Sequence, residues 1–392
     1  MMPTRGRRIL VLNAGSSSLK FAVFDGLERA WHGQVEGIGT SPRFLLTDGV
    51  VTSMLELSAV TRHASALEQI LLALDERGVS VEDFAACGHR IVHGGSRFVA
   101  PTIVDESRLE ALNALRALAP LHNSFGLEAI DALRAAAPHL LQVACFDTAF
   151  HATVPEIASR YALPANLHAE GYRRVGFHGL NFEHVATVVA QRAGEAPSPR
   201  LLIFHLGNGC SICAVKDGRS VATTMGYSTL DGLVMGTRCG AIDPGVLLAL
   251  QRDRGMTIAE LEDLLYRRSG LLAVSGYTSD MHELMRIDDE ASRGAIEHFC
   301  YWAARHSGSL AVALGGVDAI AFTGGIGFGS APVRSQIVGH LRCLGFELDG
   351  ERNQRHDHSL AGSRSHGPIW LVQANEELVI ARHVHAAMGR AA

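Results

Sequence analysis

Along the chain, short apolar runs alternate with segments of helical spacing, and small-residue turns mark the joins. Leu67, Ile70, Leu71 and Leu74 fall three or four apart, as do Leu109, Leu112, Leu115 and Leu118, so each set predicts the apolar face of a helix. Residues 142–146 (QVACF) and 319–322 (AIAF) predict buried strands. The first ends at Asp147, and the second runs into Thr323-Gly324-Gly325-Ile326-Gly327. This mixture predicts an α/β chain. Residues 351–367 are polar and histidine-rich and predict an exposed loop. Asn375 is placed to cap a last helix whose first turn carries Glu376 and Glu377, where carboxylates suit the helix dipole.

Residues 9–26 (ILVLNAGSSSLKFAVFDG) and 201–218 (LLIFHLGNGCSICAVKDG) align without a gap. They are identical at Leu10/Leu202, Gly15/Gly207, Ala22/Ala214, Val23/Val215, Asp25/Asp217 and Gly26/Gly218. Each reads as a strand, a small-residue turn and a returning strand, with Asp-Gly as the next hairpin turn. The shared positions of the polar residue and the glycine favour a duplication over two unrelated hairpins. At 392 residues the chain is also too long for one ordinary core. Two similar α/β domains facing a cleft are expected, with both turns offering backbone N–H groups to a phosphate chain. Such clefts commonly close on a nucleotide.

Composition removes several function classes. The net charge is −5 and 19% of residues are charged, without the basic excess of a nucleic-acid binder. Arg5, Arg7 and Arg8 form a short cluster that reads as a solvated terminus. There is no run of eighteen apolar residues, so no membrane span is expected. The apolar run 9–12 breaks at Asn13, which does not suit a signal peptide. Seven scattered cysteines fit free thiols in a reducing cytoplasm. Cys210 and Cys213 form a C-x-x-C, but no second pair has metal spacing, and residues three apart on a strand face opposite ways. Many of the 41 glycines cluster in loops, which suggests backbone approaching a ligand.

Phosphoryl transfer asks for positioning, a metal and positive charge around the moving group. Asn13 ends the first strand, with Ser16, Ser18 and Lys20 read into the turn that follows. An Asn and a distant carboxylate can hold Mg2+, and Lys20 can pair with phosphate oxygens. The turn lacks G-x-x-x-x-G-K, and by itself reads equally as a polar hairpin loop. Arg90 lies in an apolar, glycine-flanked stretch, GHRIVHGG, where a buried guanidinium requires an anion or a structural salt bridge. Asp147 stands at a strand end, as a site carboxylate or a cap. His178 lies between glycines in GFHG, where little side-chain packing would hide it. His205-Leu206-Gly207-Asn208-Gly209 repeats the phosphate-turn shape, and Arg238 again sits in a glycine-rich segment, MGTRCG. Two glycine-flanked arginines, a glycine-flanked histidine and three glycine-rich turns after strands together favour phosphoryl transfer.

In NAGSSSLKF from Asn13, GHRIVHGG from Gly88, FDTAFH from Phe146, GFHG from Gly176, HLGNG from His205, MGTR from Met235, FTGGIG from Phe322 and NEEL from Asn375, the chain resembles the acetate kinase family nearly end to end. The resemblance implies the two-domain acetate-and-sugar-kinase, actin-like fold (a duplicated ribonuclease H-like α/β unit) with a nucleotide cleft between domains. It implies an acyl-substrate and metal domain of residues 1–148 with 375–392, a nucleotide domain of residues 149–374, and a homodimer. The implied reaction is reversible transfer from ATP to acetate, giving acetyl phosphate and ADP with Mg2+ or Mn2+. Asn13 and Glu376 would bind the metal, Lys20 would contact ATP, and Arg90 would hold the carboxylate. Asp147 would act as a base or substrate positioner, and His178 and Arg238 would stabilise the moving phosphoryl group. His205, Leu206, Gly207, Asn208 and Gly209 would wrap the phosphates. Asp280, Met281, His282, Gly325, Ile326, Gly327, Phe328 and Gly329 would lie on the adenosine side. The acceptor is already an anion, so the difficulty is repulsion between two negative groups, which the metal, Arg90, Arg238 and His178 would offset.

Several positions depart from the family pattern. Leu180-Asn181-Phe182 stands for Thr-Ser-His, which removes a second histidine and leaves open whether His184 replaces it. Cys239-Gly240-Ala241 stands for Ser-Gly-Asp, Asp280-Met281-His282 for Asp-x-Arg, Phe328-Gly329 for Glu-Asn, and Thr229 for a proline. These changes leave propionate or butyrate open as acceptor and pyrophosphate open as donor. They also leave open a non-catalytic nucleotide-binding relative.

Overall fold

The computed structural model describes residues 8–15, 17–49, 51–57, 60–117, 123–194 and 199–391. The chain divides into two compact units, residues 1–150 with 375–392, and residues 151–374.

The first unit is built on strands β1 (Arg8–Ala14), β2 (Ser18–Asp25), β3 (Glu28–Glu36), β4 (Arg43–Thr47), β5 (Thr52–Glu56), β6 (Phe84–Ile91), β7 (Thr102–Ile103) and β8 (Leu141–Phe146). Their order in the sheet is β5-β4-β3-β2-β1-β6-β8-β7. Strands β1 to β3 form an antiparallel meander, while β6 runs parallel to both β1 and β8. The second unit carries β9 (Leu201–Leu206), β10 (Cys210–Lys216), β11 (Arg219–Thr223), β12 (Ala319–Thr323) and β13 (Ile369–Leu371) in the order β11-β10-β9-β12-β13. That order and those directions repeat β3-β2-β1-β6-β8 of the first unit.

The repeat holds strand by strand, but not in the gap-free alignment. In the first unit Ala14 pairs with Leu19, leaving four residues (15–18) between them, whereas Leu206 pairs with Cys210 across three (207–209). The second turn is one residue shorter, so a one-residue shift relates β2 to β10. A bulge confirms the shifted register. It lies between Val23 and Phe24 opposite β3, and between Ala214 and Val215 opposite β11. A bulge at the same place in both hairpins is the mark of a shared ancestral strand pair rather than a shared composition.

Helices cover the sheet of the first unit on both faces. His63–Asp75 buries Leu67, Ile70 and Leu74 in a core shared with Ala129 and Leu133 of Asn123–Ala136 and with Cys87 of β6. On the other face lies Glu376–Ala391, where Gly88 is obligatory: a Cβ there would sit 2.3 Å from Ile380 Cγ2 and 2.8 Å from Val384 Cγ2. The Asn375 side chain caps this helix, accepting from the Leu378 N–H at 3.2 Å.

Four sequence expectations need correction. Ser18 and Lys20 are residues of β2 rather than of the turn; Ser16 lies outside the described residues. The leucine-spaced helix ends at Ala114, and Leu115 opens a 3-10 turn, with Leu118 outside the described residues. The stretch 351–367 is not simply an exposed loop, since Gly350–Gln354 is a short helix capped by Asp349, and Asn353 and Leu360 are buried. Arg8 is the first residue of β1 and stands 5.3 Å from the Trp31 ring, while Arg5 and Arg7 lie outside the described residues.

Candidate active-site clusters

In the first unit, β1, β6, β8 and the last helix each contribute one polar side chain to a single cluster. Arg90 of β6 forks onto Asp147 just beyond β8: Nε donates to Oδ1 and Oδ2 at 3.1 Å, and Nη2 donates to Oδ2 at 2.5 Å. The remaining arm, Nη1, donates to Asn13 Oδ1 at 3.1 Å. Asn13 Nδ2 in turn donates to Glu376 Oε2 at 3.4 Å, and that oxygen lies 3.5 Å from Arg90 Nε. Asp147 is 1% exposed. Burial, the largest influence, and nearby Glu376 lift its carboxyl to about 6 against the pull of Arg90. Two carboxylates therefore answer one guanidinium. Lys20 is the Cα partner of Asn13 across the β1–β2 ladder, so its exposed side chain shares Asn13's face of the sheet.

In the second unit a different set converges on the turn between β9 and β10. His178 precedes the helix Gly179–Ala193 with φ of 59°, a left-handed conformation uncommon for histidine. Its Nδ1 lies 2.8 Å from Ser211 Oγ of β10, and its ring stacks on His205 of β9 at 4.1 Å between centroids and 17° between planes. The expectation that little packing would hide His178 is thus corrected, because the neighbouring β-strand supplies the packing that the flanking glycines lack. A Cβ on Gly209 would stand 3.3 Å from His178 Nε2 and 3.4 Å from Arg238 Nη2, so both nitrogens crowd one point above the turn. Arg238 Nη1 donates to the Thr229 carbonyl at 3.0 Å, and burial pulls its guanidinium below its ordinary value. Among the described residues no carboxylate lies within ion-pair distance of Arg238.

A cavity of about 480 Å3 opens beside the same turn, within the second unit. Gly207, Asn208, Asp280, Met281, His282, Gly325, Ile326 and Gly329 line it, with Met285 and Pro332 among the further wall residues. Asp280 caps the helix Met281–Ile287, its Oδ1 accepting from the N–H groups of His282 at 2.7 Å and Glu283 at 3.1 Å. The segment after β12 is a helix, Gly324–Gly329, rather than a glycine loop. Gly327 and Phe328 do not line the cavity. Their carbonyls turn inward to accept from Arg334 Nη1 at 2.9 and 2.7 Å. Leu206 is buried at the end of β9.

Sequence reading missed three supporting residues. Arg334 is fully buried, and it spends its donors on Gly327, Phe328 and Asn353 oxygens. Its only signal is a cation within the apolar helix Ala331–His340. Asn181 donates to His205 Nδ1 at 2.7 Å and to Thr323 Oγ1 at 3.3 Å. Ser211, which meets His178, looked like an ordinary strand residue. Phe182, where the family has its second histidine, packs edge-on against His151 and His205. His184 lies two residues on, some 200° around the helix from Phe182. Cys210 and Cys213 are free and buried, as are most of the seven cysteines.

The acetokinase family model matches residues 8–382. An acetate kinase from Methylocella silvestris is 41% identical, over 98% of this chain and 99% of its own length. A propionate kinase from Francisella tularensis superimposes with a TM-score of 0.91 at 36% identity, over 96% of this chain and 98% of that one. Porphyromonas gingivalis acetate kinase gives 0.88 at 32% identity, over 98% and 100%. The repeated strand order is accordingly that of the actin-like acetate-and-sugar-kinase fold. With end-to-end likeness in sequence and backbone, and with the quoted motifs gathered into two polar clusters, the chain belongs to the acetokinase family.

Proposed function

We propose that this chain is an acetate kinase, moving the γ-phosphoryl group of ATP reversibly to acetate to give acetyl phosphate and ADP. The observation that carries this reading is Arg238, a partly buried cation without a carboxylate partner among the described residues, at a glycine turn shared with His178. Drawing a guanidinium even partly out of water without a counter-charge costs free energy, and a phosphate supplies that charge. Arg90, by contrast, already has its charge answered, and Asp147 fixes the direction of its fork.

Each residue set has its own end of the reactant pair. In the second unit, Arg238 and His178 donate to the phosphoryl oxygens as charge builds on them, and the 207–209 turn shapes the phosphate path. In the first unit, Arg90, positioned by Asp147, keeps N–H donors beyond those given to Asp147 and Asn13 and offers them to the acceptor carboxylate, while the metal supplies the net positive charge. The acceptor is an anion at neutral pH, so no strong general base is required. Lys20 contributes a further cation on Asn13's face.

A Mg2+ or Mn2+ ion fits the first cluster. Its donors are hard oxygens, and Asp147 and Glu376 leave one negative charge beyond the Arg90 guanidinium. Among the described residues no three His, Cys, Asp or Glu side chains form a cage. That suits an ion which takes one or two protein oxygens and completes its shell with water and phosphate. Asn13 and Glu376 are the residues we assign to hold it. When bound, the ion neutralises phosphate charge.

The changed adenosine-side residues raise pyrophosphate as an alternative donor. The cavity argues for a nucleoside instead, because Met281, Met285, Ile326 and Pro332 give it apolar walls that a phosphate would not use. A homodimer is part of the proposal: the helix Pro244–Arg254 buries no residue in its own chain and exposes Val246 and Leu248. A cytoplasmic setting agrees with seven free thiols. Initial rates for acetate, propionate and butyrate against ATP, GTP and pyrophosphate, with acyl phosphate trapped as hydroxamate, test the reading. Preference for ATP and acetate supports it, and absence of product from every pair removes it.

A further inference from the structure

We infer that His63 is a positioning residue for the β1–β2 turn, and through it for the Asn13–Lys20 pair. In its catalytic consequence the inference rests on the function proposed above. His63 opens the helix His63–Asp75 and is 3% exposed. Its Nε2 lies 2.7 Å from the Gly15 carbonyl, which can only accept, so that nitrogen carries the proton. The ring stacks on Phe125 at 4.7 Å and 30°, and Nδ1 lies 3.9 Å from Glu128 Oε2. Phe125 and Glu128, both on the helix Asn123–Ala136, thus hold the imidazole with its donor aimed at the turn.

The held carbonyl lies at a sensitive place. Gly15 directly follows β1, two residues after Asn13, and its own N–H donates to the Ser18 carbonyl at 2.8 Å to close the turn. From outside the turn, the Ile38 N–H donates to the Ser17 carbonyl at 3.0 Å. The Ile38 contact runs backbone to backbone, so among the described residues the bond from His63 is the one from outside the turn that a side chain makes. Without the His63 bond the Gly15 carbonyl is free to turn about its ψ, which loosens the turn beside its closing bond and beside the pairs Ala14–Leu19 and Asn13–Lys20. Asn13 Oδ1 accepts from Arg90, so the disturbance would reach the charged cluster directly. A merely structural histidine would also be buried and stacked, but it would not need its donor on the turn.

The test compares His63→Leu, which removes the donor, with His63→Gln, which restores an amide donor at similar reach. For His63→Leu we expect kcat/KM for ATP to fall by at least about tenfold while KM for acetate stays within about twofold. His63→Gln should recover most of that loss. Hydrogen exchange across residues 13–21 supplies an activity-independent readout: protection should fall in His63→Leu and return in His63→Gln. Thermal unfolding of both variants reports whether they are folded at the assay temperature. Wild-type kcat/KM in folded His63→Leu, unchanged exchange in the turn, or a folded His63→Gln that rescues neither readout would overturn the inference. A wild-type protein without kinase activity would sink the proposed function instead, and the exchange data would still decide the role of His63 in the turn.

Discussion

Asn181 donates from Nδ2 to Nδ1 of His205 at 2.7 Å, so His205 is held with Nδ1 as acceptor and its proton on Nε2. That bond sets the plane on which His178 stacks. Replacing Asn181 with Leu takes this donor from a partly buried ring nitrogen, at a cost of about 1–3 kcal/mol, and loosens the orientation of the His205 ring. We expect kcat for acetyl phosphate formation to fall by about tenfold or more, with KM for acetate little changed. Steady-state kinetics on a folded Asn181→Leu protein check this. An unchanged kcat would separate His205 from the transfer step.

Asn181 also shows why part of this site was illegible in the sequence. It was visible only as a departure from a familiar motif, and its contacts lie 24 and 142 residues away in the chain. Glycine-rich turns, strand runs and glycine-flanked cations were readable because their meaning is local. Arg334 was not, since its partners are the carbonyls of a helix that the sequence suggested was a loop. Gly325, Gly327 and Gly329 argued against a helix by propensity, but the Arg334 bonds satisfy the carbonyls at its end. The repeat was legible down to the strand, and its register was not. A one-residue change in turn length alters pairing without altering the hydrophobic pattern of either strand.

Gly209→Ala is a probe of the convergence above the second turn. Its Cβ would meet His178 Nε2 at 3.3 Å, tighter than ordinary contact, and Arg238 Nη2 at 3.4 Å, at its lower edge. The backbone there is not in the left-handed region, so the fold should tolerate the methyl group. We expect kcat to drop by about one to two orders of magnitude while the melting temperature barely moves. A melting loss in proportion to the activity loss would mean that the position is structural.

Arg334→Met should act on both stability and nucleotide affinity. It removes a buried guanidinium whose partners are Gly327, Phe328 and Asn353 oxygens, and leaves those acceptors unpaired. The expected destabilisation is about 2–4 kcal/mol by urea unfolding. The helix Gly324–Gly329 lines the cavity, so KM for ATP should rise more than KM for acetate. Equal effects on both substrates would show that Arg334 only supports the fold.

Acid should destabilise the protein between pH 6.5 and 4. Burial lowers His89, His93 and His151 each to about 4, so in this window they stay neutral when folded and are protonated when unfolded. Their contribution is fully present above pH 6.5 and is lost as pH falls through 4. Asp147 works in the opposite sense: raised to about 6, it contributes stability at low pH that is lost as pH rises through 6. Three groups against one leave a net uptake of protons on unfolding, so stability falls as the solution is made more acidic across this window. Urea unfolding at several pH values measures this slope. Flat stability from pH 6.5 to 4 would contradict it.

Wild type and Arg238→Ala, compared for hydroxamate-trapped acetyl phosphate from acetate, ATP and Mg2+, test whether this partly buried guanidinium serves the moving phosphoryl group. Wild type should form product, and Arg238→Ala should lose about 10^3-fold or more in kcat while its melting temperature stays close to wild type. Equal rates in the two proteins, or no product from wild type, would contradict that role.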